Sequence, residues 1–144
     1  MEVPDIPPSS SFRFRTRRRT RWSDEDVQGV VNNAVYLTLF EEARHQYFGD
    51  LGLLEGGEFP FVLLQKNLRL LAPGRGGVEV EIELLTVEFT RTSFRQLGRI
   101  RDAETGVVLA EKEAILVTWD PGTRSKAPTA AAFRSAVEAF EAGE

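Results

Sequence analysis

The chain has 144 residues, enough for one domain with a full hydrophobic core, and its hydrophobic and charged fractions are those of an ordinary globular protein. It contains no cysteine and one histidine, His45. Disulfides, a cysteine nucleophile and a histidine metal cluster are therefore excluded. The net charge is −4 and no apolar run approaches the roughly 18 residues of a membrane span, so we expect a cytoplasmic protein without a membrane segment.

The first predicted strand carries an unusual run of arginines. Residues 1–11, rich in proline and serine, are predicted to form a disordered N-terminal tail, and residues 12–144 a single domain. A strand is predicted at about 12–22, where the stretch RFRTRRRTR holds six arginines. Five of them alternate along one side of the strand: Arg13, Arg15, Arg17, Arg19 and Arg21. The alternation favours a solvated strand face, and the alternative is a basic surface for a phosphate-bearing ligand or nucleic acid.

Two aspartates, Asp24 and Asp26, stand one residue apart just before a predicted helix. A helix start presents unpaired backbone N–H groups and partial positive charge, which suit a nearby anion. The helix is predicted from Asn33 to about Asp50. Its apolar positions Tyr36, Phe40, Ala43 and Tyr47 recur at spacings of three and four, and further apolar residues widen this stripe. The N-terminal half of the helix should therefore be deeply buried.

Four strands and a second helix follow the long helix. The first of them has the sequence FVLLQKNLRLL, and the next, VEVEIELL, alternates strictly until the doublet Leu84–Leu85, which predicts a β-bulge. The last two strands, SFRQLGRIRD and VVLAEKEAILVTW, flank the short connection AETG, and a C-terminal helix opens near Pro128. This order predicts an α+β fold in which an antiparallel sheet wraps around one long central helix.

The stretch RWSDEDVQGVVNNAVYLTLFEEAR, residues 21–44, resembles the signature of the 4-hydroxybenzoyl-CoA thioesterase family of the hotdog fold. The shared pattern is an Asp-x-Asp, a glycine about three residues on, an asparagine-rich turn, a tyrosine and a Glu-x-Ala-Arg-like helix. The predicted strand order agrees over residues 12–120. The resemblance implies an acyl-CoA thioesterase that needs no cofactor or metal and acts on a small aromatic or fatty acyl group. It also implies a homodimer or homotetramer with the site between subunits.

The resemblance also implies roles for individual residues. Asp26 matches the carboxylate that works on the thioester, and the backbone N–H of Asn33 matches the oxyanion donor. Gly29 lets the loop turn tightly, and Tyr36 matches an aromatic near the acyl pocket. Val30 stands where the family often has histidine.

A second motif, TRTS at residues 90–93, resembles the turn that contacts the acyl group and the pantetheine arm. It implies substrate binding by Arg91, Thr92 and Ser93. This match is looser than that of the stretch at 21–44.

The chemistry is consistent with these roles. Thioester hydrolysis develops negative charge on the carbonyl oxygen, and N–H groups at a helix start stabilise such charge. A carboxylate near the reacting carbon can attack it directly or take a proton from water, and neither route requires histidine.

Two alternatives remain open at this stage. The working carboxylate could instead be Glu41 or Glu42 on the helix, although both flank the apolar stripe and are expected to meet a partner subunit, an arginine or solvent. His45 is expected at a surface or interface. The second function class is a non-catalytic acyl-thioester binder or regulatory protein whose basic strand holds a phosphate ligand or nucleic acid, with nucleic acid the less expected partner.

Overall fold

The computed structural model describes residues 5–144 and contains one antiparallel sheet, one long helix and a C-terminal helix. The elements in chain order are β1 (Phe14–Arg19), α1 (Asn33–Asp50), β2 (Phe61–Leu70), β3 (Glu79–Val87), β4 (Ser93–Asp102), β5 (Val108–Asp120), β6 (Ser125–Lys126) and α2 (Ala131–Ala142). The sheet order is β1-β3-β4-β5-β2, and the short β6 adds to β5. The predicted α+β hotdog arrangement is confirmed, with β6 as an addition.

Helix α1 lies against the inner face of this sheet and forms the core with it. The predicted stripe residues of α1 are all buried: Tyr36, Phe40, Ala43 and Tyr47. They meet buried side chains of the strands, among them Ile82, Leu84 and Ile100. Gly98 on β4 leaves room for the ring of Phe40, since a Cβ there would lie 2.6 Å from a ring carbon. The predicted stripe is therefore buried, but the predicted deep burial of the N-terminal half is wrong within one chain, because Ala34 and Thr38 on its other side are exposed.

The doublet Leu84–Leu85 does not form the predicted bulge. The register of β3 with β4 is unbroken from Val80 opposite Asp102 to Val87 opposite Arg95. Leu85 lies on the outer face, and the apolar row on the inner face ends at Leu84. Thr86 takes the next inner position, where its hydroxyl accepts a hydrogen bond from the Gln96 amide at 3.1 Å. The register shifts lie instead at Leu63/Gln65 and Ile100/Arg101.

The outer face of the sheet carries rows of charge that alternate in sign from strand to strand. Arg15 of β1 contacts Glu81 and Glu83 of β3 at 3.2 and 3.1 Å. Glu83 is fully buried and also contacts the β4 arginines Arg99 and Arg101. Arg99 in turn lies 2.8 Å from Glu111 of β5, which contacts Arg69 of β2 at the same distance. The outward arginines of β1 are therefore exposed, as the alternation predicted, and Arg15 and Arg17 also contact glutamates of β3.

Arg18 occupies the other side of β1, toward α1. Its guanidinium donates to the Gln46 side chain at 3.0 Å and lies 3.6 Å from the Glu42 carboxylate. This polar contact at the edge of the helix–sheet interface accounts for an arginine on the side of β1 that faces α1.

The N-terminal segment crosses the charged outer face. Residues 1–4 of the predicted disordered tail lie outside the described residues. Further on, the carbonyl of Pro7 accepts a hydrogen bond from Arg99 at 2.8 Å, and Ser9–Ser11 form one 3-10 turn. The Phe12 ring then lies 5.3 Å from the Arg99 guanidinium carbon. Residues 5–11 thus lie on the sheet, because the buried Arg99 needs acceptors beyond its two glutamates. Among residues 5–144, no helix is long and apolar enough to cross a membrane.

Candidate active site

The acidic loop, residues 24–31, is a tight hairpin that ends at the start of α1. Glu25 and Val31 form an isolated antiparallel bridge, and the Asp26 N–H donates to the Val30 carbonyl at 2.8 Å. The hairpin turns at Gly29, whose φ of +75° is strained for any residue with a side chain. The loop glycine is therefore needed for the turn, as predicted.

The carboxylate of Asp26 is exposed to solvent and held by one local contact. Its Oδ1 accepts the Gln28 N–H at 2.8 Å, the geometry of an Asx turn. This leaves the other oxygen available to a ligand or a water molecule outside the loop.

The neighbouring Asp24 points the other way and is buried. Its Oδ2 accepts the Arg21 N–H at 2.7 Å, and its carbonyl accepts the Asn32 N–H at 2.9 Å. The Asp24 carboxylate therefore holds the backbone at the start of the loop.

The first turn of α1 opens beside this loop. Asn32 caps the helix, since its side-chain oxygen accepts the Ala34 N–H at 3.0 Å. Asn33 is the first helical residue, and its backbone N–H belongs to the group of donors that have no acceptor within the helix. Exposed N–H groups at a helix start can stabilise an oxyanion.

A second loop, residues 72–77 with the sequence APGRGG, supports the acidic loop from below. The Gly74 carbonyl accepts the Val31 N–H at 2.9 Å, and the Gly76 N–H donates to the Glu25 carboxylate at 2.8 Å. Arg75 donates to the Gly29 carbonyl at 3.2 Å. No local sequence signal indicates this contact, because it joins residues some 45 positions apart along the chain.

Tyr36 lies beneath this junction rather than on an open surface. It is only 2% exposed, and its hydroxyl lies directly under Gly74, where there is no room for a Cβ. Burial raises the pKa of the Tyr36 hydroxyl, which has no hydrogen-bond partner within residues 5–144. In this conformation the ring supports the loops, and its role beside an acyl group stays a prediction.

The TRTS turn lies at the opposite end of the sheet from the acidic loop. Ser93 begins β4 opposite Val117, and the Thr92 carbonyl accepts the Thr118 N–H at 2.8 Å. The loop that supports the acidic loop leads into β3, whose first residues pair with the far end of β4, about 30 Å away for a ten-residue strand. One chain therefore does not bring Asp26 together with Arg91, Thr92 and Ser93.

A cavity of about 650 Å³ adjoins the TRTS turn. Its lining is largely apolar and includes Leu53, Phe59, Phe61, Trp119 and Phe133. It also includes Thr118, which bonds the turn directly. Sequence reasoning missed this cavity, because its lining comes from segments distant along the chain.

The alternative carboxylates on α1 have other neighbours. Glu42 lies 3.6 Å from Arg18, as expected for a helix-flank acid that meets an arginine, and Glu41 is exposed. His45 is also exposed, as predicted, and its ring nitrogen lies 3.0 Å from the Gly57 carbonyl. Within residues 5–144 no cluster of histidine, aspartate and glutamate could hold a metal ion.

Comparison with known proteins identifies a family. A model of the Thioesterase-like superfamily matches residues 20–137. The acyl-CoA thioester hydrolase YbgC of Escherichia coli is 31% identical over 115 residues, which cover 75% of this chain and 83% of that protein.

Solved structures agree. A thioesterase from Thermus thermophilus, complexed with coenzyme A and zinc, superposes with a TM-score of 0.81 at 33% identity and covers 92% of this chain and 97% of its own. Slr0204 of Synechocystis, a 1,4-dihydroxy-2-naphthoyl-CoA thioesterase, has a TM-score of 0.78 at 23% identity, covers 86% of this chain and 94% of its own, and is similar in fold.

Proposed function

Because this chain belongs to the Thioesterase-like superfamily, we propose that it hydrolyses acyl-CoA thioesters at the acidic loop. In this proposal Asp26 is the working carboxylate and the Asn33 N–H binds the oxyanion. Gly29 and Val30 shape the loop on the substrate side. The observation that carries the proposal is the exposed Asp26 carboxylate on a rigid hairpin that ends at an open helix start.

The chemistry can follow either of two balanced routes. As a base, Asp26 takes a proton from water while the water oxygen bonds to the carbonyl carbon, and the C–S bond then breaks and the thiolate takes up a proton. As a nucleophile, Asp26 bonds to the carbonyl carbon, releases the thiolate and forms an anhydride that water opens. In both routes negative charge develops on the carbonyl oxygen, where the helix N–H groups stabilise it.

A second copy of the chain would complete the site. Strand β2 is a free edge of the sheet, and its side chains Val62, Leu63, Leu64 and Leu70 are exposed and apolar. Its Phe61 end lines the large cavity, and its Leu70 end leads into the loop that supports the acidic loop. Two β2 strands paired antiparallel would therefore place Asp26 of one copy beside the cavity and TRTS turn of the other. This supports a homodimer, or a homotetramer built from it.

The proposed substrate carries the phosphates of coenzyme A. Arg91 and Arg124 are exposed near the cavity end of the sheet, and Arg91, Thr92 and Ser93 form the proposed contact to the pantetheine arm and acyl group. The cytoplasmic location stays a prediction from composition.

The non-catalytic alternative, with the basic strand as a phosphate or nucleic-acid site, is less well supported. Arg15 and Arg17 both contact glutamates of β3, at 3.1 to 3.6 Å, so much of the charge on this strand is compensated. An enzyme whose site lies at the acidic loop does not require that charge.

The test is free-thiol release from a panel of acyl-CoA esters by the wild type and by Asp26→Asn. We expect turnover to fall by about 10²-fold or more with little change in KM, because the substitution keeps the size and removes the charge. Near-normal turnover in a folded Asp26→Asn of unchanged oligomeric state would contradict the assignment. Glu41 or Glu42 would then be the candidate catalytic carboxylate.

A further inference from the structure

Two cationic side chains lie buried between α1 and the sheet, away from the acidic loop. Arg44 of α1 and Lys112 of β5 are each 4% exposed. Arg44 donates through Nε to the Gln96 side chain at 3.0 Å, and the Lys112 ammonium lies 5.4 Å from the centre of the Phe40 ring. Within residues 5–144 neither cation lies within 4 Å of a carboxylate, although a buried charge is normally paired.

The positive charge of this cluster is therefore poorly compensated. Burial, together with the charges of Arg44 and Lys66, lowers the pKa of Lys112 to about 7, while Glu41 acts in the opposite direction. Burial likewise lowers the pKa of Arg44 to about 10, against the effect of Glu41. An added anion would relieve the mutual repulsion of these groups.

Both cations face a cavity of about 290 Å³ that opens at the β2 edge. Its apolar walls include Leu37, Phe61 and Leu116, and Glu41 and Lys66 stand at its rim. An apolar pocket that ends in buried basic groups fits a ligand with an apolar body and an anionic terminus.

The cavity lies along the side of the helix that begins at the proposed oxyanion donor. Asn33, Leu37, Glu41 and Arg44 follow one another at spacings of four, four and three, so they share one side of α1. The distance from Asn33 to Arg44 along the axis is about 16 Å, and helical side chains lean back toward the N-terminus. An acyl group of medium length, bonded at the helix start, can therefore extend toward the two cations.

We propose that Arg44 and Lys112 bind a carboxylate at the far end of the acyl group, so that the preferred substrates are CoA monoesters of dicarboxylic acids. The inference rests on the proposed thioesterase function and specifies its substrate class. Arg44 and Lys112 are specificity residues, and Asp26 remains the reacting carboxylate.

The test compares sebacyl-CoA, a ten-carbon monoester long enough to approach the two cations from the helix start, with decanoyl-CoA, which has the same chain length but no terminal carboxylate. In the wild type we expect the higher kcat/KM for sebacyl-CoA. In Lys112→Met, which keeps the length of the side chain and removes its charge, the ratio of the two kcat/KM values should fall at least tenfold. Lys112→Arg should keep much of the preference. Lys126→Met, at an exposed lysine of β6, is the matched control and should leave the ratio unchanged.

A second readout does not depend on turnover. Calorimetry with free sebacate should show binding to the wild type and a loss of at least tenfold in affinity for Lys112→Met. Equal rates on both esters in the wild type, with no sebacate binding, would overturn the inference and leave the thioesterase function intact. Dissociation of Lys112→Met into single chains with an unchanged substrate ratio would also overturn it, since the cations would then pair with Glu41 of a second copy. If no acyl-CoA is hydrolysed, the proposed function fails, and sebacate binding alone decides the anion site.

Discussion

At the scale of single residues, the acidic loop divides two tasks between two aspartates. Asp24 and Asp26 are two positions apart, so in an extended strand their side chains would point the same way. One carboxylate is nevertheless buried and the other exposed. The difference arises because Trp22–Asp24 form a 3-10 turn, which directs Asp24 back onto the Arg21 N–H. Asp26 follows after the turn ends, within the hairpin, where its side chain points outward.

This division predicts different costs for the same substitution. Asp24→Asn weakens a buried, charge-assisted hydrogen bond, and we expect the free energy of unfolding to fall by about 1–2 kcal/mol. Asp26→Asn changes an exposed side chain and should alter it by less than about 0.5 kcal/mol. Urea denaturation of both variants measures this. Equal losses of stability would show that Asp24 does not organise the loop.

The sequence was informative about the site where its residues are neighbours along the chain. Asp26, Gly29 and Asn33 lie within eight positions, so their shared loop and helix start could be predicted from local rules. The support from Gly74 and the shared cavity of Arg44 and Lys112 could not be predicted. These features join segments that only the folded sheet brings together. No periodicity in the sequence specifies such a contact.

At the scale of secondary-structure elements, one carboxyl group joins α2 to the rest of the domain. Glu141 Oε2 accepts the Tyr47 hydroxyl at 2.8 Å and the Thr86 N–H at 2.7 Å, which links α2 to α1 and β3. Burial raises the pKa of Glu141, although both hydrogen bonds and the charge of Arg13 act against that shift. The folded state therefore favours the protonated carboxyl.

The raised pKa predicts a pH-dependent stability. In the unfolded chain a glutamate titrates near pH 4.3, roughly, so between that value and the raised pKa the folded state binds more protons. The free energy of unfolding contributed by Glu141 then falls as pH rises through this window. We expect the stability of the wild type relative to Glu141→Gln to decrease as pH rises above about 4.3 in urea denaturation.

Glu104→Gln, at an exposed glutamate between β4 and β5, is the control and should show no such trend. A stability difference between wild type and Glu141→Gln that stays constant with pH would contradict the buried titration.

The positions of helices and strands were predictable where one face of the element is buried and the other is exposed to solvent. The stripe of α1 is the clearest example, since Tyr36, Phe40, Ala43 and Tyr47 are all in the core. The prediction of a bulge at Leu84–Leu85 was wrong. Leu85 is an apolar residue on the outer face, and in the sequence it looks like a shift in the alternation of apolar and polar positions. A sequence does not reveal which neighbouring strands cover that outer position.

At the scale of the whole molecule, strand β2 is an edge strand of the sheet, with a neighbouring strand on one side only in the described part of the chain. Its exposed leucines include Leu64, which is 59% exposed, and a long apolar edge of this kind is normally covered by another strand. The separation of Asp26 from the TRTS turn within one chain leads to the same expectation.

We therefore expect the wild type to sediment at two or four times 16.1 kDa at micromolar concentration. Leu64→Lys places a charge on the β2 edge, and it should shift the protein toward 16.1 kDa and lower turnover at least tenfold. Val107→Lys, at an exposed position between β4 and β5, is the matched control and should change neither. A fully active species of 16.1 kDa would exclude a site shared between copies.

The charged rows on the outer face bear on how the strands find their neighbours. Across the sheet from β1 to β2 the rows are positive, negative, positive, negative and positive, so each native pair of strands brings opposite charges together. A wrong pairing such as β1 with β4, or β3 with β5, would set like charges against each other along the whole strand. A slip of two residues within a native pair would still match opposite charges, so these rows do not choose the register. Charge on the outer face thus encodes which strands are adjacent, and the apolar pattern of the inner face encodes how they align.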